Sequence, residues 1–158
     1  MAFRLVSSGG NVVDPAMVNI RCSGVVWPGS VVEFSRTAGA GVNIASASST
    51  TTNVFGVCMD YAQGASDKEV RIVPFAPGQL WEVDCVNAGL TAQIGLRHQL
   101  NVDALLVRNT STDLGAGNAA TAIFRAIAMV GSASGSGKLI GYVRTTEGTY
   151  FPSQTTYA

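Results

Sequence analysis

The chain has 158 residues, a length that predicts one domain with a hydrophobic core of its own. Apolar residues make up 47% of the chain and the formal net charge is zero. Charged residues make up only 13%, against roughly 25% in an ordinary soluble domain. So few charges favour a protein that covers part of its surface by assembly. The charge balance also argues against a nucleic-acid-binding protein, which typically carries a basic patch.

The first 15 residues predict an N-terminal arm rather than a core element. Phe3, Leu5 and Val6 give an apolar start, and a Ser-Ser-Gly-Gly run follows at 7–10. Two interpretations are open: the apolar residues dock on a neighbouring subunit, or the end is frayed. The chain start has no apolar run of signal-peptide length, and no stretch approaches a transmembrane span of about 20 apolar residues. We therefore expect a soluble protein, made in a cytosol, that has no membrane partner.

The next segments predict strands and then a long loop. Residues 17–27 alternate weakly between apolar and polar side chains, and Pro28-Gly29 makes a turn. Residues 31–36 favour a strand because they are rich in β-branched and aromatic side chains. Residues 37–53 consist largely of Ala, Gly, Ser and Thr, which indicates a loop.

Residues 54–87 predict three consecutive strands, at 54–61, 69–75 and 80–86. The first two are separated by a polar turn at 63–67, and Pro74 and Pro77-Gly78 end the second. In the third, Trp81 and Val83 alternate with Glu82 and Asp84, which is typical of a half-buried strand. Cys85 shares the face of Trp81, so we expect it to be a reduced thiol in the core.

The second half of the chain also reads as short strands. Residues 92–100 fit a strand or a short helix, and Gly95 favours the strand. Residues 104–109 predict a strand and residues 110–120 a loop of small side chains. Residues 122–130 are strongly apolar and predict a buried strand. Residues 139–145, after a turn of small residues, predict the last strand, which pairs with it. Residues 148–158 predict an exposed tail.

Together these segments predict an all-β protein. About eight or nine short antiparallel strands at this spacing form a small β-barrel or sandwich with long loops of small residues. We expect an arm at 1–15, a single β domain at 16–147 and a C-terminal tail at 148–158.

Two arrangements invite a catalytic interpretation and neither is convincing. The run at 131–139 resembles a phosphate-binding loop, but Ser132 stands where that motif needs Gly, Leu139 stands where it needs Ser or Thr, and a strand follows. A Cys–His–Asp hydrolase would combine Cys58 or Cys85 with His98, the only histidine, and with one aspartate from Asp60, Asp84 and Asp103. His98 lies between Arg97 and Gln99, as on a solvated strand, and no protease signature surrounds either cysteine. We therefore expect no enzyme.

Metal and cofactor sites also have no support in the sequence. The three cysteines, Cys22, Cys58 and Cys85, are widely spaced and form no CxxC pair. Carboxylates are scattered, without the spacing of a calcium loop. Trp27 and Trp81 could form a sugar-stacking platform, but Trp81 reads as core and Trp27, before Pro28-Gly29, is the freer of the two. We expect no cofactor.

Several motifs follow the order found in one protein family. They are Pro-Gly-x-Val-Val-x-Phe at 28–34, Phe-Gly-Val at 55–57, Val-x-Ile-Val at 70–73, Pro-Gly-x-x-Trp at 77–81, Ala-x-Ile-Gly at 92–95, and a closing hairpin from Phe124 to Gly-Lys-Leu-Ile-Gly at 137–141. This order, over about residues 18–146, resembles the capsid decoration, or cement, proteins of tailed bacteriophages. The motifs are structural, so the resemblance carries no binding residue over to a numbered position.

The resemblance implies a small β protein that binds the outside of an assembled phage head and stabilises it, often as a homotrimer. Its partners would be the major capsid protein and further copies of itself, and it would be made in the host bacterial cytoplasm. From the residues alone, Phe3, Leu5, Val6 and Trp27 are our candidates for the capsid or subunit interface. The alternative is another virion component, such as a tail protein or a receptor- or glycan-binding β module.

Overall fold

The computed structural model describes residues 3–7, 17–35, 41–46, 48–62, 68–76, 78–84, 90–101, 113–116, 121–131 and 138–144. These residues form eleven strands and one helix of four residues. The elements are β1 (Arg4–Ser7), β2 (Val18–Cys22), β3 (Val31–Phe34), β4 (Val42–Ile44), β5 (Val54–Cys58), β6 (Lys68–Pro74), β7 (Leu80–Asp84), α1 (Leu90–Gln93), β8 (Arg97–Asn101), β9 (Asp113–Ala116), β10 (Phe124–Val130) and β11 (Lys138–Val143).

The strands form a closed barrel and an open sheet. The barrel has five strands in the order β2-β4-β3-β5-β6, and the sheet has six in the order β1-β7-β11-β10-β8-β9. All pairs are antiparallel except β2 with β4, where Cys22 lies opposite Val42. The prediction of an all-β fold is confirmed.

Two hydrophobic cores follow from the alternation of side chains along the barrel strands. The barrel core fills the interior and contains Cys22, Val26, Val32, Val42, Phe55, Cys58, Ala62, Val70 and Ile72. The junction core contains Phe3, Val31, Ala45, Val54, Val57, Val73, Phe75, Trp81, Val83, Leu100, Ile123, Phe124, Ala126 and Leu139. The junction core draws on strands of both the barrel and the sheet, so it joins the two layers.

Strand β5 is apolar throughout because it lies between the two cores. All five of its residues are buried, because neighbouring side chains point into different cores. Phe55 and Cys58 belong to the barrel core, whereas Val54 and Val57 belong to the junction core. A strand buried on both faces reads as a continuous apolar run rather than an alternating one.

Several boundaries differ from those expected. Strands β4 and β9 lie inside segments that we expected to be loops, at 37–53 and 110–120. The segment at 92–100 was expected to be a strand; the structure has the end of α1 there, then Gly95 at a φ of 83°, then β8. The predicted strand at 104–109 and the tail at 148–158 lie outside the described residues.

The N-terminal segment also differs from the expected arm over the residues that are described. Residues 4–7 form β1, which pairs antiparallel with β7 at one edge of the sheet. Phe3, just before it, is only 3% exposed and belongs to the junction core. An aromatic side chain of this size is stabilised by burial, which is why the stretch joins the sheet instead of standing away from it.

Gly56, in the middle of β5, is required by the close approach of β6. A Cβ atom built at this position would collide with the carbonyl oxygen of Val73 and lie 2.8 Å from Cγ2 of Ile72. Gly24 is different, since its nearest neighbour would be Oδ1 of Asn43 at 3.6 Å, an ordinary contact. The barrel therefore tolerates a methyl group at one glycine and not at the other.

We expect Gly56→Ala to lower the free energy of unfolding by about 2–3 kcal/mol, because overpacking against backbone forces strands apart. The control, Gly24→Ala, should change it by no more than about 0.5 kcal/mol. Urea denaturation followed by tryptophan fluorescence measures both. Equal midpoints for the two variants would contradict the close approach of β5 and β6.

Candidate functional site

An apolar groove lies where the edge of the sheet meets the barrel. Its volume is about 280 Å³. The lining residues come from β1, β7, the turn after Trp27 and the barrel: Phe3, Arg4, Leu5, Met17, Pro28, Gly29, Met59, Val73 and Trp81. Concave, mainly apolar surfaces with few polar groups are the usual form of binding sites, so this groove is the candidate site.

Two methionines give the groove its exposed apolar wall. Met17 lies directly before β2 and is 47% exposed, and Met59 lies directly after β5 and is 41% exposed. The backbone N–H of Met59 donates a hydrogen bond to the carbonyl oxygen of Arg71 at 2.9 Å, which fixes the chain at this point. Methionine side chains adapt to the shape of a partner, so this wall suits an apolar contact.

The floor of the groove is fixed by the turn at Pro28-Gly29. Gly29 has a φ of 84°, a conformation that glycine adopts without steric cost. Its carbonyl oxygen accepts a hydrogen bond from the backbone N–H of Phe3 at 3.0 Å, and its own N–H donates to the carbonyl oxygen of Cys58 at 2.7 Å. The turn therefore ties the start of β1 to the barrel.

The structure brings most of the predicted interface residues to this region. Phe3 and Leu5 line the groove, and Trp27 directly precedes the Pro28-Gly29 turn. Val6 follows Leu5 at the irregularity in the pairing of β1 with β7, and it is 47% exposed. Phe3 is mostly enclosed by its own chain and offers little surface to a partner. The interface role of these four residues remains a prediction.

An aromatic pair lies near residues of the groove in sequence: Trp27 directly precedes Pro28, and Tyr61 lies two residues after Met59. The rings of Trp27 and Tyr61 have centroids 4.5 Å apart and planes tilted by 49°. Trp27 is half-buried and Tyr61 is 40% exposed. A backbone bridge between Val26 and Ala62 holds the two segments side by side. Sequence reasoning singled out Trp27 but missed Tyr61, because the bridge joins residues far apart in sequence.

A carboxylate–guanidinium pair lies next to Tyr61. Nη2 of Arg71 donates to Oδ1 of Asp60 at 2.7 Å, and the backbone N–H of Arg71 donates to Oδ2 at 2.8 Å. These hydrogen bonds, first from the side chain and then from the backbone, hold the pKa of Asp60 below its ordinary value. Asp60 is therefore ionised at neutral pH, directly before Tyr61 in the chain.

A buried carboxylate at the sheet edge holds β1 in place. Glu82 on β7 is only 7% exposed. Its Oε2 accepts a hydrogen bond from Nη2 of Arg4 at 2.9 Å, and its Oε1 lies 3.4 Å from Nζ of Lys138. Burial opposes ionisation of Glu82, but the hydrogen bonds and charges of these two cations outweigh it, and the pKa lies below its ordinary value. We expected a half-buried strand here; the two cations allow Glu82 to be buried on the polar face as well.

The residues of the imagined Cys–His–Asp combination belong to different layers. His98 is on β8 in the sheet, whereas Cys58 is in the barrel core. Burial raises the pKa of Cys58 to about 11, which is opposite to the change that makes a thiolate nucleophile. Cys85 lies outside the described residues.

The solvated position that we expected for His98 is wrong, because its side chain is buried. His98 lies opposite Phe124 on β10 and shares the inward face. Its Nε2 is 3.2 Å from the carbonyl oxygen of Gln93. The side chain is therefore part of the packed face of the sheet.

The run at 131–139 ends in a strand, as expected. Lys138 and Leu139 begin β11, and Lys138 extends its ammonium group toward Glu82 and Asp84, at 3.4 and 3.7 Å. Residues 132–137 lie outside the described part of the chain. Lys138 thus belongs to the charged network at the sheet edge.

Among the described residues, no cluster of three or more His, Cys, Asp or Glu side chains is placed to hold a metal ion. No helix in the same residues has the length and hydropathy of a membrane span. Comparisons of the chain with protein-family models, with curated proteins and with solved structures found no match.

We expect Glu82→Gln to lower the free energy of unfolding at pH 7 by about 1–2 kcal/mol. A charged hydrogen bond is lost, and the exposure of Arg4 moderates the cost. The folded-state pKa is depressed, so the contribution of Glu82 is present above its ordinary pKa of 4.5 and is lost as the pH falls through the folded value.

Urea titrations of the Glu82→Gln variant and the unmodified protein at pH 7 and at acid pH test this. The difference between them should shrink steadily below pH 4.5. Glu69→Gln, at an exposed position on β6, is the control and should have little effect at either pH. A difference that stays constant with pH would show that Glu82 acts through its shape rather than its charge.

Proposed function

We propose that this chain is a structural virion protein that binds the outside of an assembled capsid of a tailed bacteriophage and stabilises it, as a homotrimer. Its partners are then the major capsid protein and copies of itself, and its location is the outer capsid surface after synthesis in the host cytoplasm. The sequence motifs between residues 28 and 141 suggest this class of protein. The observation that carries the proposal is the exposed apolar groove beside β1.

The apolar lining of the groove favours contact with a protein surface over exposure to water. Its exposed wall is formed by Met17 and Met59, and Leu5 and Pro28 continue the apolar lining. Arg4 is the only charged residue in that lining. Burying apolar side chains of this kind yields roughly 25 cal/mol per Å² of area removed from water. A neutral chain with few charges also meets little electrostatic cost when copies lie close together on a shell.

The proposed mechanism is mass action and involves no chemical step. A protein that binds the assembled shell and not its dissociated subunits shifts the equilibrium toward the shell. Three copies linked in a trimer would bind with avidity, because the second and third contacts are intramolecular. The stabilisation of the shell then grows with the concentration of the protein.

The direct test mixes the purified protein with mature heads that lack it, then sediments and images the heads. We expect stoichiometric binding at symmetric positions and a higher temperature of head disruption. Met59→Lys should weaken binding by at least about tenfold, because it places a charge in the apolar wall. Val130→Lys is the matched control: Val130 is similarly exposed but lies at the end of β10, and its replacement should leave binding unchanged.

Failure to bind heads, together with monomeric behaviour at high concentration, would reject the proposal. Binding that is weakened equally by both lysine substitutions would place the contact outside the groove. Folding of each variant is checked by thermal denaturation, and both positions are exposed enough that we expect little loss of stability.

A second candidate, a receptor- or glycan-binding β module of a virion, is favoured by the Trp27–Tyr61 pair. An exposed aromatic ring offers an apolar face for stacking. Asp60, the residue before Tyr61, and its partner Arg71 supply the charged hydrogen-bonding groups for a sugar under this candidate. The glycan candidate depends on Tyr61, whereas the capsid proposal is tested at Met59. Separate substitutions at these two residues therefore distinguish the two candidates.

Under this second candidate, Tyr61→Ala abolishes retention of the protein on a glycan array, because the stacking face is lost. Tyr142→Ala is the control, since Tyr142 is exposed to a similar degree on β11. No retention of the unmodified protein on any glycan would reject the candidate, and so would equal retention of both variants.

A further inference from the structure

Strand β1 can leave the sheet without disturbing any other strand pair. It is an edge strand, and within the described residues it pairs with β7 alone, with Arg4 opposite Glu82 and Leu5 opposite Trp81. The last described strand, β11, lies by contrast inside the sheet between β7 and β10. Removal of β1 therefore breaks one ladder, together with the hydrogen bond from the N–H of Phe3 to the carbonyl oxygen of Gly29.

The contacts that hold β1 are few, specific and distant in sequence. The ring of Phe3 meets those of Phe124, Phe75 and Trp81 in edge-to-face geometry, with centroids 5.8, 6.3 and 6.3 Å away. Arg4 adds the hydrogen bond to Glu82. These contacts form a socket for one aromatic side chain followed by one cation.

The element that follows β1 along the chain does not hold it in place. β2 belongs to the barrel and pairs with β4 and β6, while β1 belongs to the sheet. Nine residues, 8–16, connect the two described segments. A connection of this length spans at most about 30 Å when extended.

We propose that residues 3–7 are exchanged between copies of this chain, so that β1 of one copy fills the socket of the next. This inference rests on the self-assembly part of the proposed function. Swapped and unswapped forms make the same contacts, so exchange is a low-cost route to an oligomer. If each copy donates β1 to one neighbour and accepts β1 from another, the copies form a closed ring, and the proposed homotrimer is the ring with threefold symmetry.

Concentration decides between the two forms. In dilute solution the chain's own β1 has the advantage of an intramolecular contact. That advantage is an effective concentration, typically in the millimolar range for short connections. Copies held side by side on a shell reach comparable local concentrations, so assembly favours exchange. Residues 3–7 would then contribute to the subunit interface through Phe3 even though its side chain is buried.

Two charge-reversed variants test exchange directly. In Arg4→Glu, two carboxylates face each other within one chain, and in Glu82→Arg, two guanidinium groups do. When the variants are mixed, both exchanged pairings between unlike copies are complementary: the carboxylate at position 4 meets the guanidinium at 82, and the native Arg4 meets the native Glu82. A mixed ring of three has two such pairings, whereas a ring of one variant has none. The doubly substituted chain, Arg4→Glu with Glu82→Arg, is the control for folding, since it is complementary within itself.

With different affinity tags on the two variants, we expect the mixture to form mixed oligomers at least about tenfold more abundantly than either variant forms its own. Native mass spectrometry and two-step affinity capture measure this. Only unmixed species, with the unmodified protein forming an oligomer, would overturn the exchange and leave self-assembly standing. A protein that stays monomeric both in solution and on heads would overturn the exchange and the proposed homotrimer together.

A cross-link covers the case in which the charge-reversed chains fail to fold. Arg4→Cys with Glu82→Cys in one chain places thiols at paired positions of β1 and β7. Oxidation at high protein concentration should give covalent oligomers if β1 is exchanged and only monomers if it is not. The unmodified protein, oxidised in parallel, controls for the native cysteines.

Discussion

The aromatic cluster at the junction of barrel and sheet is the constraint on which the fold depends. Phe75 emerges from the end of β6, where its N–H donates to the carbonyl oxygen of Phe55 at 2.9 Å. Its ring meets Trp81 of the sheet at 5.5 Å, nearly perpendicular. Because β6 belongs to the barrel and β7 to the sheet, this contact sets the position of one layer on the other. Phe3 and Phe124 complete the cluster.

The groove is a consequence of this arrangement. The sheet packs on the closed barrel through the junction core, and β1 is its edge strand. The space left there is lined by Phe3 and Trp81 from the cluster and by Met17 and Met59 from the barrel. The same aromatic contacts that join the layers therefore also determine where the exposed apolar surface lies.

The parts of the fold that the sequence predicted are those where composition and pairing agree. β5, β6, β7, β10 and β11 are apolar or alternate clearly, and their positions were predicted within a few residues. β4 and β9 were missed because their residues, such as those of Val42–Ile44, lie among small side chains and owe their strand conformation to pairing with β3 and β8. The turn at Gly95, between α1 and β8, had only one signal in the sequence, which was the glycine itself.

The candidate site was predictable in part for a similar reason. Phe3, Leu5 and Trp27 carry a local signal, since each is apolar or aromatic beside turn-forming residues. Met17 and Met59 carry none, because only closure of the barrel brings residues from before β2 and after β5 to one wall. The burial of Glu82 likewise depends on cations from two different strands, β1 and β11, which no periodicity within β7 reveals.

The charges at the sheet edge give that edge a specificity of its own. An open edge strand is a template for pairing with other chains, and charged side chains are a common protection against it. Arg4 provides that protection on β1 while its guanidinium neutralises Glu82. Any strand that replaced β1 without a cation at the same position would leave a buried carboxylate short of one of its two partners, which is costly. The aromatic socket adds the requirement for a ring one residue earlier. Together these two demands restrict the edge of β7 to a strand with the pattern of this chain's own N-terminus.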